Sequence, residues 1–522
     1  MRERLLKTAP IPADLHSYHG LTFIKIDDII YAVHYSGGII ITMFRKVISG
    51  AAAAAICLSL MTMLPMNASA EELYTYDDLT YYFLEAGTIE ITDCSTSAVT
   101  VDIPSEINGT AVTSIGYMAF FNCCSLIEVT IPDSITNVEG SAFQNCEALS
   151  SITIPDSVTS ISDDMFFACN SLIEITIPDS VTSIGDRAFS NCASLASVTI
   201  PASVTSIGGG AFYTCPSLTE IYIPSSVSSI ERSAFKNCQS LTGITVDSGN
   251  QYYSSVEGVL CDKQQTTLIT YPKGMTKESY AIPEGVTRIE NDAFDYCTKL
   301  HEITIPDSVT YIGDYAFYYC YNLTEIVLPD SVKSIGMSAF EYCFGIKTLT
   351  MSDGLTDIGV SAFKNCHGLS KVTVPESVSS IGNNAFYGCV GLTSVTIENP
   401  YCEIFDSENV IPDTAAIHGY SGSTAESYAN AYGRTFSTLG VRVSTGDPTG
   451  DGDVDLEDAV AILDCYAKTA AGLTTNMNAL QISAADVNGD GVTDLSDASC
   501  ILTYYAQNAA GMNPSWDDII GA

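Results

Sequence analysis

The sequence predicts a β-rich solenoid of short strands, turns and short helical pieces, followed by a small all-α module. Three observations predict it. Phenylalanine recurs every 23 residues at Phe120, Phe143, Phe166, Phe189, Phe212 and Phe235, and again at Phe294, Phe317, Phe340, Phe363 and Phe386; cysteine follows each three residues later. Between them runs an Ile-x-Ile-Pro phrase whose alternation suits a half-buried strand. Near the C-terminus a twelve-residue acidic loop is written twice, 39 residues apart. A fixed period of this length marks stacked coils, none of which can bury its apolar face alone.

One repeat, Leu172 to Cys192, explains the rest. In Ile175-Thr176-Ile177 the isoleucines point one way and the threonine the other; Pro178 then fixes the backbone, removes a donor and ends the strand. Proline returns at this corner as Pro132, Pro155, Pro201, Pro224, Pro306, Pro329 and Pro375. Val181 to Gly185 gives a second extended piece and a glycine corner. A helical or turn segment then carries Phe189 and Cys192 inward, so that Ile, Phe and Cys should form continuous internal columns about 4.8 Å apart. This pattern resembles the BspA-like, or Treponema-type, leucine-rich repeats of bacterial surface and secreted proteins, over roughly residues 73–440. The resemblance implies a curved right-handed solenoid that serves as a binding or adhesion surface and has no catalytic residues of its own.

In chain order, residues 1–42 read as a mis-called extension before a true start at Met43. Residues 43–70 carry Arg45-Lys46, an apolar run from Val47 to Leu64 and a small-residue exit at Asn67 to Ala70, the three parts of a secretory signal peptide. An uncleaved anchor is the alternative, although 18 apolar residues are marginal for a span. The 522-residue chain carries a net charge of −40, with 6 basic and 4 acidic residues in 1–70, 14 and 44 in 71–446, and 1 and 13 in 447–522. So acidic a surface argues against nucleic acid and anionic membranes as partners.

The solenoid is expected over 71–440, with Leu79 to Leu84 and Thr88 to Ile91 as an N-terminal hairpin cap. The spacing of 59 between Phe235 and Phe294 predicts an insertion at about 247–280. Its tyrosines Tyr252, Tyr253 and Tyr280 read either as packing on neighbouring coils or as ligand contacts. Tyr311, Tyr315, Tyr318, Tyr319, Tyr321 and Tyr342 crowd nearby coils, and such amphipathic rings suit protein or sugar recognition unless they only fill variable positions. Glu128, Glu174, Glu220, Glu302 and Glu325, with a threonine two residues later in three of these coils, form a stripe read as a solvated face or a polar binding surface. Eleven of the 18 cysteines share one column. Parallel side chains match disulfide geometry poorly, so they read as buried thiols acting as small hydrophobes, which implies an anaerobic or reducing habitat. Ser423 to Tyr432 reads as a capping helix with a serine N-cap. His301, His367 and His418 stand singly, and no nucleophile and base share a pattern, so the chain reads as no enzyme.

Residues 441–446 form a linker, and from 447 to 522 the composition changes. Asp447 to Asp458 and Asp486 to Asp497 set oxygen-bearing residues at loop positions 1, 3, 5, 9 and 12, with Gly452 and Gly491 at position 6. Calcium takes six to eight hard oxygen ligands, and the glycine allows the turn that lets them converge. Two Ca2+ ions are therefore expected. Each loop leads into one helix pattern, Asp458-Ala-x-x-Ile-Leu and Asp497-Ala-x-x-Ile-Leu. This tail resembles the dockerin module of cellulosomal proteins. The resemblance implies first-loop ligands Asp447, Thr449, Asp451, Asp453 through its carbonyl, Asp455 through water and Asp458. In the second loop it implies Asp486, Asn488, Asp490, the Val492 carbonyl, Asp494 and Asp497. It further implies a cohesin module of a scaffold as partner, met in part through Leu456, Glu457, Leu495 and Ser496, which differ from the common hydroxyl pair. A calcium-stabilised domain without a cohesin partner is the alternative.

The sequence thus predicts a secreted, non-catalytic interaction protein, extracellular or held at the cell surface through a cohesin-bearing scaffold, with no membrane span after signal cleavage. Its solenoid recognises an unidentified protein or polysaccharide. A freestanding adhesin or host-interaction protein is the alternative, and a cellulosomal polysaccharide-degrading component a further one.

Overall fold

The computed structural model describes residues 21–26, 29–34, 72–440, 444–450, 452–477 and 479–520. They fall into two units, Met1–Glu72 and Leu73–Ala522. In the first, Leu21–Ile26 and Ile29–His34 pair antiparallel, Leu21 opposite His34. The expected leader at 43–70 lies outside the described residues, as do most of the 1–42 extension and residues 441–443 of the linker.

In the second unit each regular coil sends one strand into each of two separate parallel ladders. Glu174–Thr176 pairs with Ser197–Thr199, Ile175 opposite Val198, and Ser183–Ile184 pairs with Ser206–Ile207, Ile184 opposite Ile207, so the register advances by one 23-residue repeat. Proline closes the first strand as expected: the Val181 amide donates to the Pro178 carbonyl at 3.0 Å in a tight turn. Ile175, Ile177, Val181, Ile184, Phe189, Cys192 and Leu195 of one coil are all buried. Burying each such side chain stabilises by about 1.5–3 kcal/mol before entropy is counted.

The segment from Phe to Cys is a turn rather than a helix. Two residues of each regular coil take left-handed backbone, Arg187 at φ 52° and Asn191 at φ 61° in the coil of Phe189. That interrupts helical propagation and aims the intervening amides at the next coil, where the Phe189 amide donates to the Ala211 carbonyl at 2.8 Å. The phenylalanines stack in one column with centroids 4.9–5.8 Å apart. All cysteines of the inner column are free thiols, and nine of them donate S–H to the carbonyl oxygen of the phenylalanine 26 residues earlier at 3.0–3.2 Å.

The stretch expected as an insertion at about 247–280 folds as part of one lengthened coil. Gly243–Val246 pairs with Glu220–Ile223, whereas Ser279–Ala281 pairs with Glu302–Thr304, so Tyr280 already belongs to the following coil. Between them one lengthened coil holds Tyr253–Val256, Val259–Asp262 and Thr267–Thr270, and the last rejoins the second ladder beside Arg288–Ile289. Tyr271 takes the phenylalanine place, stacked on Phe294 at 5.1 Å. The apolar core divides at this coil into two clusters, one running from Leu79 to Leu260 and one from Val259 to Ala429.

An antiparallel meander of Tyr74–Tyr76, Leu79–Phe83 and Ile89–Cys94 closes the first end, with Ile89–Cys94 pairing parallel to Thr110–Ile115. At the other end helix α1, Thr424–Ala431, is capped by Ser423, whose side chain accepts from the Glu426 amide, and it buries Ala425, Tyr428 and Ala429. Four further helices follow: α2, Leu456–Ala470; α3, Ala479–Ala485; α4, Leu495–Ala509; and α5, Trp516–Ile520. α2 and α4 pack on a small core of Ala459, Ile462, Ala485, Val487, Ala498 and Ile501. No described helix is long and apolar enough to cross a membrane.

Candidate functional site

Two regions combine unusual chemistry with a built geometry. The first is the pair of acidic loops before α2 and α4. The Asp455 side chain caps α2 by accepting from the Glu457 amide at 2.7 Å, and Asp458 returns a bond from the Asp455 amide at 2.9 Å. Asp494, Ser496 and Asp497 repeat this arrangement at 2.7 and 2.9 Å on α4. Such reciprocal caps satisfy helix amides that otherwise lack partners. Asp447 accepts from the Gly450 and Gly452 amides at 2.6 and 3.0 Å, and Asp486 accepts from the Gly491 amide at 2.8 Å. Gly452 and Gly491 sit at φ 94° and 85°, which side-chain-bearing residues rarely adopt.

The loops therefore converge on carboxylates. Asp447, Asp458 and Asp497 are buried, at 2%, 0% and 0% exposure. Asp458 accepts from the Thr449 hydroxyl at 2.8 Å, and Asp497 from the Val487 amide at 2.9 Å. Burial is the largest influence on Asp458 and pushes its carboxyl up to about 6, against hydrogen bonds that pull it down. The tail has a single basic residue, Lys468, which pairs with Asp464. Asp486 Oδ1 is buried and has no hydrogen-bond partner. Buried carboxylates and one orphaned oxygen are the type of donor that a hard divalent cation takes.

Among the residues expected to hold it, Asp447, Thr449 and Asp458 meet through hydrogen bonds. Asp486, Asn488 and Asp497 lie in the equivalent loop, where Asn488 turns its side-chain nitrogen toward Ser496 at 3.0 Å. Asp490 accepts from the Val492 amide at 2.9 Å. Asp455 and Asp494 act as helix caps, and the Asp453 and Val492 side chains are exposed. Asp451 lies outside the described residues, among which no three His, Cys, Asp or Glu side chains form a group that could hold a metal ion.

Leu456, Glu457, Leu495 and Ser496 all sit exposed on the first turns of α2 and α4. They begin an apolar surface the sequence reading did not follow further. Val460 and Leu463 continue it on α2, and Leu502 and Tyr505 on α4. The signal was present as outward residues at helical spacing opposite the buried Ala459 and Ile462.

The second region is a strip of rings on the coil corners from Tyr296 to Phe344. Tyr296 stacks on Tyr319 at 4.9 Å, Tyr319 on Tyr342 at 4.4 Å, and Phe344 meets both Tyr319 and Tyr342 edge-on at 6.2 and 5.8 Å. Tyr318 lies edge-on to Tyr296, Tyr315, Tyr319 and Tyr342. Of the six tyrosines the sequence grouped, Tyr315, Tyr318, Tyr319 and Tyr342 come together. Tyr311 instead lies beneath Arg288 at 3.9 Å, and Tyr321 is exposed. Tyr296 and Phe344 were missed because only the stacking of coils brings them beside the grouped tyrosines.

Charge pairs border the strip. Lys236 meets Asp292 at 2.7 Å, Lys273 meets the buried Asp295 at 2.7 Å, and Lys364 meets Glu341 at 2.8 Å. Tyr253 and Tyr280 pack rather than project: the Tyr253 hydroxyl accepts from the Ile230 amide at 2.8 Å and Tyr280 is buried, whereas Tyr252 is exposed. The glutamate and threonine stripe lies on the outward, solvent-exposed side of the first ladder.

A family model described as BspA type leucine rich repeat region matches residues 93–215, 163–277 and 270–393, with six copies of the repeat. Its match ends before α2. Among solved structures, a leucine rich cell surface protein from Faecalibacterium prausnitzii A2-165 is 31% identical, aligning over 65% of this chain and 96% of that one with a TM-score of 0.55. The pneumococcal vaccine antigen PcpA, 20% identical over 72% of this chain and 100% of its own, shares the fold with a TM-score of 0.51. No curated protein matches the chain.

Proposed function

We propose that this chain, which belongs to the BspA-type leucine-rich-repeat family, is an exported, non-catalytic interaction protein whose solenoid presents a recognition surface and whose tail couples it to a scaffold. Several observations support the first part. The family match spans the repeats, the Faecalibacterium relative is a cell surface protein, and an Arg-Lys pair, an apolar run and a small-residue exit occupy 43–70.

The coupling rests on one observation: the two tail loops repeat each other at an offset of 39, down to the capping aspartates and the buried carboxylates at Asp458 and Asp497. We read 447–522 as a dockerin-like module. Asp447, Thr449, Asp451, the Asp453 carbonyl, Asp455 through water and Asp458 would hold one calcium ion. Asp486, Asn488, Asp490, the Val492 carbonyl, Asp494 and Asp497 would hold the other. Bound calcium neutralises the clustered carboxylates. The chain's own groups then fix α2 and α4 through the capping bonds, and Leu456, Val460 and Leu463 with Leu495 and Leu502 offer an apolar face to a cohesin module.

The experiment is capture of the full chain by a panel of immobilised cohesins, with calcium and then with chelator. Capture that needs calcium is the expected result, and failure to bind under both conditions overturns the coupling. The surface location of the Faecalibacterium relative favours a second reading, a freestanding adhesin, for which no cohesin captures the chain.

A further inference from the structure

We propose that the ring strip from Tyr296 to Phe344 binds an uncharged, extended polysaccharide laid along the solenoid axis. The proposal rests on the solenoid's reading as a recognition surface and supplies the class of ligand. It begins from the backbone. The residue just before the column cysteine takes left-handed φ in each regular coil, and six of the other coils fill it with asparagine or glycine: Asn122, Asn145, Asn191, Asn237, Asn365 and Gly388. Those residue types tolerate that conformation. Three successive coils instead place Tyr296, Tyr319 and Tyr342 there, at φ 55°, 60° and 61°, and Tyr315 occupies the coil's other left-handed position at φ 56°. Three successive tyrosines in a conformation that most other coils give to asparagine or glycine mark a function that offsets the strain.

The form of the strip narrows its occupant. The tyrosine rings face one another at 4.4–4.9 Å, so their faces are spent between coils, and each half-buried ring carries one phenolic hydroxyl per coil. Hydroxyls in a row suit a polymer that is itself a row of hydroxyls. A protein partner's anchors need pockets from which water is excluded, whereas rings stacked face to face leave no ring face for such an anchor to cover. Charge decides the rest. The chain's net charge of −40 repels anionic polymers, while at the strip three lysines, Lys236, Lys273 and Lys364, are each paired with a carboxylate, leaving that patch neutral.

The test is affinity electrophoresis of the full chain through gels containing soluble neutral polysaccharides (hydroxyethylcellulose, glucomannan, xyloglucan, mixed-linkage glucan), with polygalacturonate as the anionic comparison. At least one neutral polymer is expected to retard the chain. The double variant Tyr319→Asn/Tyr342→Asn restores the residue other coils use, so its melting temperature should stay or rise while retardation weakens at least tenfold. No retardation in any neutral gel, retardation by polygalacturonate alone, or an unchanged double variant each overturns the proposal. The same substitutions leave calcium-dependent cohesin capture intact, so failure here and failure of the coupling are distinguishable.

Discussion

Thr214 holds a left-handed φ of 56° although its β-branched side chain is among the least suited to it. Thr214→Asn should therefore stabilise the protein by about 1 kcal/mol. The check is a shift of the urea midpoint to higher concentration at constant slope, and a shift to lower concentration would contradict the assignment. The asparagines at 122, 145, 191, 237 and 365 hinted at this backbone, but sequence alone gives no φ. The cysteines were legible as inward thiols because they share the phenylalanine period. Their hydrogen bonds to phenylalanine carbonyls were not, since donor and acceptor sit 26 residues apart on neighbouring coils. Because these thiols are buried and engaged, a brief alkylation of the native protein should label exposed Cys124 and spare the column, whereas unfolding should open every site. Mass spectrometry of the peptides decides, and native labelling of Cys192 or Cys343 would count against the packing.

At the scale of elements, the lengthened coil is held by ion pairs that no motif announces. Lys273 and Asp295 are 6% and 3% exposed and meet at 2.7 Å, while Lys236 spans to Asp292 and Asp295. Asp295→Ala leaves Lys273 charged in a buried place, and the expected loss is about 3–5 kcal/mol. Replacing both partners, Lys273→Met with Asp295→Leu, should recover most of it, since a buried pair is often matched by apolar groups of similar volume. Equal losses in single and double variants, read from urea unfolding, would refute the clamp. The spacing of 59 revealed that something interrupts the repeat. It did not reveal that one coil had grown, because Tyr271 stands where the pattern expects phenylalanine and so hides the column. Capping helix α1 was legible from Ser423 and Glu426, a local signal that tertiary contacts did not override.

For the whole molecule, the division of the core at the lengthened coil predicts two unfolding transitions instead of one. Phe143 belongs to the first cluster and Phe363 to the second. Phe143→Ala and Phe363→Ala should each destabilise by about 3–5 kcal/mol, lowering different transitions in a calorimetric scan; a single transition moved alike by both would show one cooperative core. The solenoid was readable end to end because its period is enforced by stacking, which sequence records directly. The acidic loops were readable for the same reason, being written twice, whereas the ring strip required the coils to be stacked before its members met. The central claim is that the tail's twin loops capture calcium and thereby set two helices for docking. Calorimetric titration of calcium into the chelator-treated full chain tests it most directly. Two bound ions per chain, falling to one in Asp497→Ala with the solenoid transitions unmoved, is the predicted result. No heat of binding, or the same stoichiometry in that variant, would contradict it.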